Sequence, residues 1–129
     1  MTPEYQMLAW SMILGLLQLV VAVLAAIKVR GLAWAFTPRD KEMPRLPGVS
    51  GRLDRAFYNI METFPFFAAA VLMAGAMGVH NPMTVWGSML YFATRVAYIP
   101  LYAMGLPVVR TGVWSVSVAG IVMVILGVL

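Results

Sequence analysis

The chain is 129 residues long, 62% hydrophobic and 11% charged, with a net charge of +4, no cysteine and one histidine. Soluble domains carry about 25% charged and about 45–50% apolar residues, so this composition is that of a single integral membrane domain. It excludes disulfides, zinc–thiolate sites and a protein thiol nucleophile. His80 alone makes no metal cluster, and the few basic residues sit too close to apolar spans to track nucleic-acid phosphates, so neither a metal nor a nucleic acid is expected.

No charged side chain falls between Tyr5 and Ile27, a stretch that as helix covers about 34 Å and spans a bilayer. Thr2, Pro3 and Glu4 precede it in place of a basic segment. It is longer than a signal-peptide core and lacks a clear cleavage site, so it reads as a retained membrane helix over about residues 5–28. From about 29 to 52 the chain is polar. Pro38, Pro44, Pro47, Gly48 and Gly51 oppose a long helix, and Arg39, Asp40, Lys41 and Glu42 form a charged run. This is a connection on the membrane surface, either a solvated loop or a lid over a site.

A second helix is expected over about 53–77. Gly78 to Pro82 then forms a turn, with Asn81 as N-cap and Pro82 in the first helical position. Third and fourth helices follow over about 83–104 and 111–129. Four spans with short later connections make an all-α, antiparallel up-down bundle. Lys28, Arg30, Arg39, Lys41, Arg45, Arg52 and Arg110 all lie in the first and third connections, with Arg55 at the boundary, whereas the other side has no Lys or Arg. The positive-inside rule therefore places the basic connections in the cytoplasm and both termini outside.

Within the apolar spans the polar residues are few. Arg55, Asn59 and Glu62 stand at i, i+4 and i+7 on one face of the second helix as it enters the membrane. Arg95 lies about ten residues from the cytoplasmic end of the third, where an arginine costs roughly 2.5–3.5 kcal/mol even on the lenient insertion scale. It is expected to face the bundle interior. Tyr91, Tyr98 and Tyr102 share its stripe at i−4, i+3 and i+7. A Glu62–Arg95 ion pair would satisfy both charges, yet one carboxylate cannot neutralise Arg30, Arg55, Arg95 and Arg110 together. A cavity faced by all four would be positive and would expect a polyanion.

Arg55-Ala-Phe-Tyr-Asn59-Ile-Met-Glu62-Thr-Phe-Pro65-Phe resembles the signature of the membrane-associated proteins in eicosanoid and glutathione metabolism (MAPEG). Arg95-Val-Ala-Tyr98-Ile-Pro-Leu-Tyr102, followed by Arg110, is a second match, and Arg39-Asp40 with Pro44 to Gly48 is similar to the loop of bacterial members. The resemblance implies a homotrimer in the bacterial inner membrane, with glutathione as co-substrate bound between subunits near the cytoplasmic face. Within the family, the chain resembles the microsomal glutathione transferases.

By position, Arg30, Arg55, Asn59, Glu62, Arg95, Tyr98 and Tyr102 fall on glutathione-binding places. Two carboxylates, an ammonium and amides on the ligand suit arginines, Glu62, Asn59 and the tyrosines respectively. Arg110, supported by Thr111, is the expected stabiliser of the thiolate. The second substrate would be a lipophilic electrophile or hydroperoxide arriving from the lipid. Phe57 and Tyr58 stand where eicosanoid-forming members carry histidine or arginine, which argues against a specialised leukotriene or prostaglandin synthase. The alternative is a non-catalytic membrane protein of the same architecture, whose arginines hold lipid headgroups or a partner subunit.

Overall fold

Apolar, helix-favouring sequence punctuated by proline and glycine gives four long helices and one short one in the computed structural model, which describes residues 1–41 and 43–129. Glu42, last of the charged run, lies outside them. The helices are α1 (Pro3–Arg30), α2 (Leu32–Ala35), α3 (Gly48–Ala76), α4 (Pro82–Ala103) and α5 (Pro107–Val128), and no strand occurs among the described residues.

The start of α4 follows the local chemistry read from its sequence. The Asn81 side chain accepts the Thr84 N–H at 3.1 Å, and the Asn81 N–H donates to Thr84 Oγ1 at 3.0 Å, a reciprocal capping box. Two other starts fall earlier than the sequence suggests. From sequence α3 begins near Leu53, but the helix starts at Gly48. Gly51, expected as a breaker, donates its N–H to the Pro47 carbonyl at 3.3 Å, and a β-carbon there would collide with the Leu46 carbonyl. The glycine makes room for close packing of the incoming chain. Likewise α5 begins at Pro107, whose fixed φ suits a first helical position. Arg110, expected just ahead of the helix, therefore sits within its first turn, its N–H donating to the Leu106 carbonyl at 3.1 Å.

Contacts at the two ends show that the long helices run up and down. At one end Glu4 meets His80 and Thr84, and Asn81 Nδ2 donates to the Gly127 carbonyl at 2.8 Å. At the other, Arg52 Nη1 donates to the Ala103 carbonyl at 3.0 Å. Both termini thus share one end, opposite the basic connections. α4 lies along α5, α1 packs against α3 and α4, and α3 also touches α5.

Leu8, Phe67, Val71, Tyr91, Ile121 and Val124 fill the core, where the Phe67 and Tyr91 rings stack with centroids 4.0 Å apart. The α4–α5 crossing is closer still. A β-carbon on Gly87 would lie 2.6 Å from the Gly120 carbonyl oxygen. Small residues at such crossings let membrane helices pack by van der Waals contact where lipid gives no hydrophobic drive.

The outer faces expose Leu16, Leu17, Leu24, Phe66 and Leu126. On a soluble protein so much outward hydrocarbon would aggregate. By length and composition α1, α3 and α5 can each cross a membrane. α4 has 22 residues, the length of α5, but carries Arg95 and its tyrosines.

Gly87→Val should force α4 and α5 apart and cost about 1–3 kcal/mol, as overpacking in a filled core does. Thermal unfolding in detergent checks this: a midpoint equal to that of the unaltered protein would mean that the crossing is looser than described.

Candidate functional site

The inward register of α3 is set by Ile60, Thr63, Phe67 and Ala70, all buried. On α4 the corresponding residues are Thr84, Ser88, Tyr91, Arg95 and Tyr98. Arg95 is therefore carried into the bundle with the core, at 1% exposure and about 12 Å from the Ala103 end of its helix. None of its three guanidinium nitrogens has a hydrogen-bond partner. Its Cζ lies 4.4 Å from the centre of the Tyr98 ring. Cation–π attraction is worth about 2 kcal/mol or more when desolvated and does not replace five lost N–H bonds to water.

From Tyr98 the site extends toward the basic end. The Tyr98 and Tyr102 rings are 5.5 Å apart, one helical turn along α4. Arg110, from the first turn of α5, places its Cζ 4.7 Å from the Tyr102 ring centre. Arg55, from α3, donates from Nε to Tyr102 Oη at 3.1 Å. Three arginines from three helices thus surround two tyrosines. Arg110 also sits where the unsatisfied N–H groups of α5 add positive potential. No carboxylate reaches ion-pair distance of any of the three, because the one acid–base pair so placed among the described residues is Glu4–His80. Among the described residues, the cluster thus gathers three cations and no counter-charge.

The Glu62–Arg95 pair considered from sequence does not form. Thr63 takes the inward position and shares a 3.0 Å hydrogen bond with Tyr91, which turns Glu62, one residue earlier, to an exposed outer face. Tyr91 likewise belongs to the core. Asn59 is half-buried, with its Oδ1 shielded and unpartnered. Thr111 is exposed and donates its hydroxyl to the Pro107 carbonyl at 2.9 Å within its own helix. Arg30 is engaged elsewhere, with Nη2 donating to the Pro44 carbonyl at 2.9 Å and Cζ 4.8 Å from the Trp34 ring centre. Of the nine expected residues, the structure joins Arg55, Arg95, Tyr98, Tyr102 and Arg110 by direct contacts.

The model for the MAPEG family matches residues 7–129. The chain belongs to the MAPEG family. No curated protein matches it. MAPEG proteins include glutathione transferases and related proteins, use glutathione and are typically oligomeric. With three helices able to cross a membrane, this MAPEG chain is an integral membrane protein.

Two polar features escaped the sequence reading. Arg52 closes the end of α4 through the Ala103 carbonyl. His80, within the Gly78–Pro82 turn, places Nδ1 2.9 Å from both Glu4 carboxylate oxygens, and Thr84 Oγ1 donates to the same carboxylate at 3.0 Å. The signal for that pair was present. Glu4 is an acid at the head of an otherwise uncharged span, and an up-down topology brings it to the end that holds His80.

Removing a buried cation with no counter-charge relieves desolvation instead of breaking a bond. Arg95→Met should therefore leave the ligand-free thermal midpoint unchanged or raised. A large fall would show that the guanidinium is held by internal contacts.

Proposed function

We propose that this MAPEG protein is a glutathione-dependent transferase or peroxidase acting on lipophilic electrophiles or hydroperoxides. The observation that carries the reading is the buried, unpartnered Arg95 guanidinium, joined through Tyr98 and Tyr102 to Arg55 and Arg110. The donor set fits glutathione. Arginines from separate helices match two separated carboxylates by charge-assisted hydrogen bonds, and tyrosine hydroxyls and Asn59 match peptide amides. Glu62, facing outward from its own subunit, suits the ammonium in a pocket shared with a neighbouring subunit, and a homotrimer would supply that neighbour. Arg30 is proposed to reach the same ligand from the end of α1.

When bound, glutathione supplies a thiol that acts as thiolate. At a pKa near that of free cysteine, about 8.5, only a few per cent is ionised at pH 7. Lowering it by about two pH units takes roughly 2.7 kcal/mol of preferential stabilisation. A half-buried guanidinium at a helix N-terminus is of the right sign and magnitude, so Arg110 is assigned that role. Thr111, one residue along the same turn, is its supporting donor. α4 would be the fourth span, its polar stripe shielded by α3 and α5. The basic connections would face the cytoplasm of the inner membrane, where glutathione is available, and the lipophilic substrate would enter laterally.

In detergent, the intact oligomer should bind glutathione saturably in the millimolar range or below, with ultraviolet thiolate absorbance at neutral pH. Arg110→Ala should abolish that absorbance while leaving the thermal midpoint nearly unchanged. Failure of an oligomer shown to be intact to bind millimolar glutathione would defeat the proposal.

A further inference from the structure

A cavity of about 530 Å³ is lined by the basic ends of α1 and α3 and by Trp34, Arg39, Lys41 and Met43 of the connection between them. One wall is cationic. Arg30 and Arg39 place their Cζ atoms 4.8 and 4.6 Å from the centre of the same Trp34 ring, and Lys41 lines the cavity beside them. Arg30 Nε is buried without a hydrogen-bond partner. Asp54 is the one acid lining the cavity among the described residues, and it pairs with none of the three cations at ion-pair distance. Asp40 lines a neighbouring cavity under the same connection. The hydrocarbon part of its wall is built from Leu19, Ala22, Val23, Ala26 and Phe57.

That wall continues. A second groove, of about 280 Å³, shares Leu19 and Phe57 with the cavity and runs between α1 and α3 past Leu16 and Gly15 to Ser11. On α1 it extends about 12 Å beyond Leu19. A β-carbon added at Gly15 would meet no atom within 4 Å, so the groove is open there. Cations without an ion-pair partner among the described residues, leading into an apolar groove, are the complement of a molecule with an anionic head and a hydrocarbon tail.

We propose that this cavity and groove bind one anionic phospholipid, its phosphate held by Arg30, Arg39 and Lys41 and one acyl chain laid between α1 and α3. A free inorganic anion would leave the groove without purpose, and a zwitterionic lipid would leave the cations uncompensated. Basic pockets between membrane helices take anionic headgroups in this way. The proposal stands apart from the glutathione reading, because Arg55, Tyr98, Tyr102 and Arg110 line neither space. Arg30 alone is common to both, so the test leaves it intact.

Native mass spectrometry of the full chain in detergent, titrated with phosphatidylglycerol or phosphatidylcholine, measures the preference directly. One phosphatidylglycerol per chain should be retained about ten-fold or more tightly than phosphatidylcholine. The Arg39→Gln/Lys41→Gln double variant, altered at exposed positions, should bring the first down to the level of the second. Gly15→Phe should weaken phosphatidylglycerol by about ten-fold, the loss of about two buried methylenes, and inorganic phosphate at equal concentration should not displace it. Equal retention of the two lipids, undiminished phosphatidylglycerol binding by either variant, or displacement by phosphate would overturn the proposal.

Discussion

A guanidinium at 1% exposure, with no hydrogen bond from any nitrogen, is the condition to which the rest of this bundle answers. Arg95 is drawn inward because its helix buries the stripe on which it lies. Tyr98 covers one of its faces, and Tyr102 extends the aromatic surface to Arg55 and Arg110. A buried cation without a counter-ion is costly. Under the proposed function, the carboxylate of a bound glutathione would supply the interaction that the protein leaves unmade.

The two ends of the bundle differ in this respect. At the end holding both termini, Glu4 pairs with His80 and Thr84, and Asn81 with Gly127 and the start of α4, although Ser11 Oγ, two turns along α1, has no partner. Toward the basic end, Arg95, Asn59 and Arg30 keep shielded atoms without partners. The satisfied contacts tie the helices together at the one end, and the unpartnered atoms lie nearer the other. Small residues at the α4–α5 crossing let the two helices that carry Arg95 and Arg110 pack closely against each other.

Much of this was legible in the sequence. Uncharged stretches of bilayer length gave the helical class, and Arg95 amid apolar residues pointed inward, as the structure finds it. The tyrosine stripe divided: Tyr98 and Tyr102 joined the arginines, while Tyr91 paired with Thr63. That choice turns on α3 register, which depends on which side chains fill the core and is invisible to spacing within one helix. The same register removed the Glu62–Arg95 pair. Two helices start earlier than the sequence suggests, because Gly51 acts through packing rather than as a breaker and Pro107 has a φ suited to a first helical position. The Trp34 cavity was hidden because a cation cluster assembled from α1 and a surface loop has no sequence period.

A high-resolution structure of the detergent-solubilised protein at saturating glutathione gives the most direct answer. A carboxylate oxygen should stand about 2.7–2.9 Å from an Arg95 nitrogen, the distance of a charge-assisted hydrogen bond. Ordered glutathione elsewhere, with Arg95 satisfied by water or backbone carbonyls, would contradict the view that this guanidinium is the centre of the site.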